Sequence, residues 1–413
     1  MKRANDNHPP LDLNDRRLRL DPHHDAFVQN PYQFYTEMHA HAPVFFWEDY
    51  GRWCCAGYDT VNRLLRDRRF GRERPSFLAP PAGDRSHLAD FDAVEARSML
   101  ELEPPVHTRL RTLVNRAFVA RQVERLGPEI EALAHKLIDG FEGAREIDLL
   151  PAFATPIPVA VIASMLGVPQ DMAPQLLDWS HRMVAMYMHG RSRETEDSAN
   201  RAAAEFSAFL RELIEERRGA PGDDLLSVLI KARDHGEKLS DAELVTSVIL
   251  LLNAGHEATV QQTGNAIRTL LLLDGDPRDW FSSGEAAVAT VEEALRIDPP
   301  LHMFARYAYE AVEIAPDVTL QPGDSVGLLL GAANHDPAAF DEPDIFRPDR
   351  ADQKNVTFGA GIHFCIGAPL ARLEMQIGLK VLFDRLPGLH FAEEPRYADT
   401  FHFHGLERLM ARW

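Results

Sequence analysis

The sequence predicts a mainly α-helical protein with a small β portion. Helical periodicity dominates from Pro105 to about Ile267, whereas short strand signals occur near both ends of the chain. The regular alternation of strand and helix that a dinucleotide-binding fold requires does not occur in the sequence. A chain of 413 residues exceeds the usual size of one hydrophobic core, so two lobes or one large elaborated domain are expected.

The composition is typical of a globular protein, with 45% hydrophobic and 26% charged residues. The formal net charge of -19 makes nucleic acids and anionic membranes poor partners for the surface as a whole. Three cysteines, two of them adjacent, do not form a disulfide framework and favour a reducing, cytoplasmic compartment. The sequence contains no apolar run of signal-peptide or membrane-spanning length, so we expect no association with a membrane.

The N-terminal elements follow local signals. The polar and charged residues 1–25 predict a flexible tail, and residues 26–413 are expected to form one domain with an α-rich and a β-rich lobe. Proline, glycine and aspartate accumulate over residues 76–92 and predict a long loop. One helix and two strands are predicted before that loop, over residues 31–38, 44–47 and 52–56.

The longest predicted helix has clear boundary signals. Ser240 and Glu243 form a capping box at its start, and Gly275 and Pro277 are stop signals after its end. A helix reaching Leu273 would have about 33 residues and a length of roughly 50 Å. Its middle is apolar nearly all round, which predicts burial. Strands are expected after this helix at residues 305–309, 312–314, 318–320, 325–330 and 390–391.

A lone thiol lies in a glycine-rich run, with Cys365 inside the sequence FGAGIHFCIG of residues 358–367. Glycines allow positive φ angles and close approach of the backbone to a bulky planar group. Pro369 is followed by strong helix formers, and the positive end of a helix dipole near the sulfur favours thiolate over thiol. The run therefore predicts an anionic metal ligand, and the alternative is a small buried hydrophobic residue in a turn.

This run resembles the haem-binding loop of the cytochrome P-450 family, Phe-Gly-x-Gly-x-His-x-Cys-x-Gly, at every fixed position. The resemblance implies the cytochrome P-450 fold, a triangular prism with a long central helix over the haem and a small β lobe. It also implies that heme b (iron protoporphyrin IX) is the cofactor and that the Cys365 thiolate is its iron ligand. The resemblance assigns further haem contacts in the loop to Phe358, Gly359, His363 and Gly367.

The middle of the long helix resembles the oxygen-activating segment of the family, small-Gly-x-acid-Thr. Ala254 and Gly255 leave a flat place for a planar ligand, and Glu257 matches the acid of the motif. Ala258 stands where the family has threonine, and Thr259 lies about 100° further round the helix. We therefore expect a substrate hydroxyl or an ordered water to replace the missing hydroxyl group.

The pair His256-Glu257 also suggests a zinc metalloprotease motif, His-Glu-x-x-His. That motif requires a second histidine four residues after the first, and the chain has Val260 there. The zinc-protease interpretation is therefore rejected.

Two further sets of residues are implied by the resemblance. Glu293 and Arg296 match its Glu-x-x-Arg pair, which binds a third arginine that corresponds to Arg350. This set is expected to be a buried, structural charge network. The haem propionates need cationic or N–H partners, and the matching positions are His107, Arg111, Arg306 and His363.

The function implied is a haem-thiolate monooxygenase that inserts one oxygen atom from O2 into an organic small molecule and releases the other as water. The sequence has no flavin or nicotinamide motif, so electrons are expected from a separate ferredoxin with its reductase, and the protein is expected to be a monomer. Two alternatives remain open, namely a haem-thiolate sensor or carrier without turnover, and a peroxide-driven peroxygenase. A local basic patch for the acidic ferredoxin is expected at Arg109, Arg116, Arg121 and Arg372.

The resemblance also implies a substrate pocket that mixes apolar and aromatic side chains with histidines. An aromatic or partly polar substrate is conceivable, and terpenoids, macrolides and fatty acids remain open. The histidines could equally be satisfied core groups. The implied lining residues are Leu78, Leu251, Ala254, Leu301, His302, Met303, Phe304, His402, Phe403 and His404.

Overall fold

The structure is a computed structural model that describes residues 12–78, 84–117, 123–187, 191–232 and 238–413. Contacts between residues divide the chain into two compact units. The β unit comprises the described residues up to Leu78, together with Gln261–Cys365 and Leu389–Arg412. The α unit comprises the described residues of 79–260, together with Ile366–Gly388 and Trp413.

The helices and strands are numbered here in chain order. The helices are α1 (Asp25–Gln29), α2 (Tyr32–His41), α3 (Tyr58–Arg66), α4 (Ala89–Glu95), α5 (Val106–Ala117), α6 (Gly127–Phe141), α7 (Pro156–Leu166), α8 (Ala173–Val184), α9 (Arg193–Gly219), α10 (Leu225–Lys231), α11 (Asp241–Leu272), α12 (Gly284–Ile297), α13 (Leu330–Ala333) and α14 (Ala368–Arg385). The strands are β1 (Asp12–Asn14), β2 (Arg17–Arg19), β3 (Val44–Trp47), β4 (Arg52–Cys55), β5 (Phe70–Gly71), β6 (Glu146–Asp148), β7 (Met303–Ala308), β8 (Val312–Ala315), β9 (Val318–Leu320), β10 (Ser325–Leu329), β11 (His390–Phe391) and β12 (Met410–Arg412).

The β unit is built on a mixed sheet with the strand order β1-β2-β3-β4-β10-β7-β5. The pairs β2–β3 and β4–β10 are parallel, whereas β3–β4 and β7–β10 are antiparallel. Inward-facing residues such as Phe45, Trp47 and Leu328 are fully buried. Burial of these large apolar side chains is the main driving force for forming the sheet.

A flexible tail was expected over residues 1–25. From Asp12 onward, however, the chain forms strands of the sheet. β1 pairs with β2, and β2 pairs in parallel with β3. Leu18 and Leu20 are buried, and the indole N–H of Trp47 donates to the backbone oxygen of Leu20 at 2.8 Å. The apolar side chains of this polar segment therefore hold it on the sheet.

The α unit has a core of leucine, isoleucine, valine and aromatic side chains. α9 packs against α8 and α4, and α6 packs against α14. Trp179 of α8 stacks on Phe206 of α9, with ring centroids 4.9 Å apart. α4 begins within the predicted loop of residues 76–92, because Phe91 and Val94 lie three residues apart and are both buried.

α11 matches the predicted long helix to within one residue at each end. Its capping box is formed, since the backbone N–H of Glu243 donates to the Ser240 hydroxyl at 3.3 Å and the backbone N–H of Ser240 donates to the Glu243 carboxylate at 2.8 Å. None of the helices in the described ranges combines the length and the apolar composition of a membrane-spanning segment.

A buried charge network in the β unit joins Glu293, Arg296 and Arg350. Arg296 donates twice to the Glu293 carboxylate, at 2.8 and 2.7 Å, and Arg350 donates to the same carboxylate at 3.1 Å. The three side chains are at most 7% exposed. Paired charges at this depth are sustained only because every partner is present.

The network is connected to the segment that leads into the glycine-rich loop. Arg296 donates to the backbone oxygen of Asn334 at 2.8 Å, and the Asn334 amide donates to the Thr357 hydroxyl at 2.9 Å. The backbone N–H of Val356 donates to the Asn334 side-chain oxygen at 2.9 Å. These bonds fix the chain directly before Phe358.

We predict that Glu293→Gln lowers the free energy of unfolding by about 3–5 kcal/mol, because it leaves two buried guanidinium groups without their carboxylate. Glu215→Gln is the matched control, since Glu215 forms an exposed pair with Arg218 three residues further along a helix. The control should change stability little. Urea denaturation followed by circular dichroism measures both variants, and equal losses would contradict a buried network.

Candidate functional site

Cys365 lies in a loop of the β unit whose conformation is set by backbone hydrogen bonds. Its N–H donates to the backbone oxygen of Phe358 at 3.0 Å, and the N–H of Phe364 donates to that of Gly361 at 3.1 Å. The Cys365 side chain is half-buried, and in sequence it stands three residues before the first residue of α14. The predicted helix after the thiol is therefore present, with Pro369 in its first turn.

Burial distinguishes Cys365 from the other two cysteines. Cys54 and Cys55 are fully buried in β4, and burial raises the pKa of the Cys54 thiol to about 12 and that of Cys55 higher still. Both remain protonated near neutral pH and act as small core residues. Cys365 is the half-exposed cysteine, and this environment fits the thiolate ligand that a haem iron requires.

Two glycines of the loop have backbone conformations that other residues adopt rarely. Gly359 has φ +69° and Gly361 has φ +72°. A Cβ atom on Gly361 would lie only 2.5 Å from the backbone oxygen of Leu65, and one on Gly359 would lie 3.3 Å from the Phe304 ring. These positions require glycine for both conformation and space, so the loop keeps the compact shape that presents Cys365.

The middle of α11 presents small side chains. Ala254 is exposed and Ala258 is half-buried, although the neighbouring Leu251 and Leu252 are buried. The helix is therefore less buried at its centre than its composition predicts. Gly255 differs from the expected flat haem contact, because a Cβ atom there would lie 3.2 Å from Ile162 Cγ1 and glycine instead permits helix packing. Ala254 instead provides the small exposed surface in the middle of α11, and this surface fits a planar group.

The predicted acid, Glu257, is half-buried and lies beside two imidazoles in the α unit. Its Oε2 atom is 3.6 Å from His181 Nε2 and 3.7 Å from His256 Nε2. No sequence signal points to His181, because it belongs to α8 and no spacing rule relates it to α11. The Thr259 hydroxyl donates to the backbone oxygen of Gly255 at 3.4 Å, so it is engaged within its own helix.

The four expected propionate partners belong to different parts of the chain. His107 and Arg111 lie one turn apart on α5 of the α unit, where His107 is buried and Arg111 is half-buried. Arg306 of β7 is buried in the β unit, with its guanidinium carbon 5.7 Å from the Phe304 ring centroid. His363 is half-buried in a 3-10 turn before Cys365.

Two stretches expected to line the substrate pocket meet in the β unit. Leu301 forms a β-bridge with Phe403, and the backbone N–H of His404 donates to the backbone oxygen of Pro300 at 2.8 Å. Four of the expected lining residues in these stretches are half-buried, namely Leu301, Phe304, His402 and Phe403. Leu78, also half-buried, packs beside Gly323 in the same unit.

The pocket prediction is wrong for His302 and His404, which are buried in the core of the β unit. The His302 ring lies 2.6 Å from the Tyr35 hydroxyl, and the His404 ring stacks on Tyr397 at 3.8 Å between centroids. The hydroxyls of Tyr32 and Tyr397 each donate to the Asp298 carboxylate at 2.5 Å. The Nε2 atom of His404 lies 3.4 Å from the same carboxylate. Met303 and Leu251 are likewise buried in apolar cores.

Burial also sets the protonation of the histidines near these stretches. It lowers the pKa of His302 well below its usual value and lowers the pKa of His402 to about 4. Both imidazoles are therefore neutral near neutral pH. Of the two, the half-buried His402 is able to offer a neutral donor or acceptor to a substrate.

We predict that Gly361→Ala lowers the yield of haem-loaded protein by more than about tenfold, because alanine is strained at a positive φ angle and would contact the Leu65 backbone. Gly140→Ala is the control, since a Cβ atom on Gly140 meets no atom within 4 Å. The ratio of haem absorbance to protein absorbance measures both variants. Normal haem content in Gly361→Ala would contradict the proposed role of the loop conformation.

Comparisons with known proteins identify the family. The sequence model of the family described as Cytochrome P450 matches residues 286–387. The biotin biosynthesis cytochrome P450 of Bacillus subtilis (strain 168) is 36% identical over 386 residues, which are 93% of this chain and 96% of that protein. The 6-deoxyerythronolide B hydroxylase of Saccharopolyspora erythraea is 34% identical over 409 residues, covering 94% of this chain and 97% of that protein.

Solved structures give the same result. The crystal structure of P450BioI in complex with an acyl carrier protein ligated to hexadec-9Z-enoic acid has a TM-score of 0.87 at 35% identity, covering 94% of this chain and 99% of that one. CYP109E1 from Bacillus megaterium in complex with testosterone has a TM-score of 0.81 at 31% identity, covering 93% and 99%. The predicted fold, the heme b cofactor and the haem-thiolate monooxygenase activity are confirmed. The chain belongs to the cytochrome P450 family.

Proposed function

We propose that this monooxygenase binds heme b through the Cys365 thiolate and uses Glu257 to deliver protons while one atom of O2 enters an organic substrate. The observation that carries the proposal is the half-exposed Cys365 in a glycine-constrained loop, while the other two cysteines are buried and protonated. When bound, the haem with a thiolate ligand supplies the chemistry that favours cleavage of the O–O bond.

Several residues would hold the cofactor. The imidazole and guanidinium groups suit the propionate carboxylates, since charge-assisted hydrogen bonds are the stronger kind. Phe358, Gly359 and Gly367 would contact the macrocycle around the ligand, and Ala254 would contact it from the small surface of α11. The proposed propionate partners are His107, Arg111, Arg306 and His363.

Proton delivery is proposed to differ from that of relatives with a threonine after the acid. Ala258 has no hydroxyl, and the Thr259 hydroxyl donates a hydrogen bond to the backbone oxygen of Gly255 within the helix. Glu257 is only 21% exposed and can hold a proton at its carboxylate near this surface. A hydroxyl group of the substrate or an ordered water would complete the path.

The half-buried lining residues favour a largely apolar substrate. Leu301, Phe304 and Phe403 offer apolar and aromatic surface, and His402 offers one neutral imidazole. The similar proteins include a 6-deoxyerythronolide B hydroxylase, a complex with hexadec-9Z-enoic acid ligated to acyl carrier protein, and a complex with testosterone. We infer a hydrophobic molecule with a hydroxyl group, which matches the need for a substitute hydroxyl.

We further propose that electrons come from a ferredoxin with its reductase, and that residues 26–413 act as one domain of a cytoplasmic monomer. Of the four arginines expected to bind the ferredoxin, Arg109 already pairs with Glu243. Arg116 is exposed and Arg372 is half-buried, whereas Arg121 lies outside the described residues.

The source of electrons separates the alternatives. A monooxygenase oxidises its substrate with NADPH, reductase, ferredoxin and O2, a peroxygenase does so with hydrogen peroxide alone, and a sensor or carrier does neither. We expect the ferredoxin-driven reaction to be the faster by at least about tenfold. Product formation followed by mass spectrometry measures both reactions, and equal or faster turnover with peroxide alone would contradict the proposal.

We predict that Ala258→Thr changes turnover of the native substrate by less than about twofold, because another hydroxyl already occupies this role. Ala258→Val is the control, since valine has the shape of threonine without its hydroxyl. Turnover and hydrogen peroxide release are measured for both. A sharp rise in turnover with reduced peroxide release in the threonine variant, and not in the valine variant, would contradict the proposed substitution.

A further inference from the structure

Three potential metal-ligating groups converge in the α unit at His181, His256 and Glu257. One ligand atom from each lies within 4.8 Å of the other two. Both imidazole Nε2 atoms approach the same carboxylate oxygen, at 3.6 and 3.7 Å. These separations are too long for direct hydrogen bonds, so a space remains between the three atoms.

The tautomer of His256 determines what can fill that space. Its Nδ1 atom lies 2.9 Å from the backbone oxygen of Leu252, which can only accept a hydrogen bond, so Nδ1 carries the proton. In a neutral ring with this tautomer, Nε2 is the nitrogen without a proton. The Nε2 atom therefore presents a lone pair, and among the described residues this buried atom has no hydrogen-bond partner.

The Nε2 lone pair of His256 faces the half-buried Glu257 carboxylate. These two electron-rich groups repel each other unless a positive group lies between them. His181 offers a second imidazole nitrogen to the same oxygen, and its side chain is 56% exposed. The cluster thus combines a buried metal-ligating nitrogen on His256, whose ring is held in place, with a second one on the solvent-exposed His181. A backbone carbonyl that orients one histidine is also the usual arrangement around a bound metal ion.

We propose that His181, His256 and Glu257 form a binding site for one divalent transition-metal ion, with Zn²⁺ as the probe. Two imidazole nitrogens and one carboxylate oxygen are ligands that zinc binds at about 2.0–2.2 Å, with a fourth position for water. Ligands around such an ion lie closer together than the atoms do here, and the exposed His181 side chain can move to close the gap. The pair His256-Glu257, which suggested a His-Glu-x-x-His motif, therefore has its third ligand in His181 of α8.

The second cluster of this kind, formed by Asp298, His302 and His404, is a weaker candidate. All three residues are buried, and the carboxylate already accepts hydrogen bonds from two tyrosines. The hydrogen-bonding capacity of the Asp298 carboxylate is therefore already used in part. None of the three side chains is exposed, so an ion from solvent has no ligand to bind first.

Occupancy of the site would also affect catalysis, a consequence that rests on the proposed role of Glu257. A carboxylate bound to a metal ion cannot accept and release protons for the reaction. Bound Zn²⁺ should then slow ferredoxin-driven turnover without displacing the haem.

Equilibrium dialysis of the untagged, haem-loaded protein against Zn²⁺, followed by metal analysis, tests the site directly. We expect one equivalent to bind, and His181→Ala and His256→Gln each to weaken binding by more than about 100-fold, since loss of even an outer partner costs 10- to 100-fold. His41→Ala is the matched control, because His41 is an exposed imidazole 3.3 Å from Glu37. The control should retain the full affinity.

Unchanged Zn²⁺ binding in His181→Ala and His256→Gln, or no specific binding by the wild-type protein, would overturn the metal site and leave the proposed role of Glu257 standing. His181-dependent binding that leaves turnover unchanged would support the metal site and overturn the proton-delivery role. The two proposals therefore fail separately. The spectrum of the reduced, CO-bound protein, recorded for each variant, verifies that haem binding is intact.

Discussion

The proposed bond between an anionic Cys365 sulfur and the haem iron is the interaction on which the proposed function depends. A cysteine serves this purpose only if it remains ionised and accessible to a large planar group. In this chain, burial keeps the other two thiols protonated, whereas Cys365 is half-exposed before a helix. Gly359 and Gly361 hold the loop in a shape that side chains would prevent.

The buried charge network is the second constraint, because it holds the segment that enters the loop. Arg296 connects the Glu293 carboxylate to the backbone of Asn334, and Asn334 connects to Val356 and Thr357. Removal of one partner from such a network is costly, because it leaves a buried charge unpaired. The same hydrogen bonds fix the residues directly before Phe358, where the glycine-rich loop begins.

Local signals in the sequence predicted much of the structure. The capping box of Ser240 and Glu243 places the start of α11, and the glycines before Cys365 indicate the positive φ angles that the loop has. The family resemblance of the Glu293 and Arg296 pair, rather than its spacing alone, indicated one carboxylate that binds two arginines. These predictions succeed because residues close in sequence determine them, or because the motif itself includes the distant partner.

Other features follow from tertiary contacts that no local pattern contains. Leu18 is buried because β2 pairs with β3, although the segment around it is polar. His302 and His404 are buried because the chain brings residues 300–303 beside 402–404 in one particular register. His181 reaches Glu257 only through the packing of the α unit. Pairing register and helix packing therefore limit what the sequence alone predicts about the pocket.

The absorption spectrum of the reduced, CO-bound protein shows whether Cys365 is the iron ligand. We expect the purified protein to contain haem and to show a thiolate-type spectrum, which Cys365→Ser abolishes and Cys54→Ala retains. A protein without porphyrin, or an unchanged spectrum in Cys365→Ser, would contradict the assignment of Cys365 as the iron ligand.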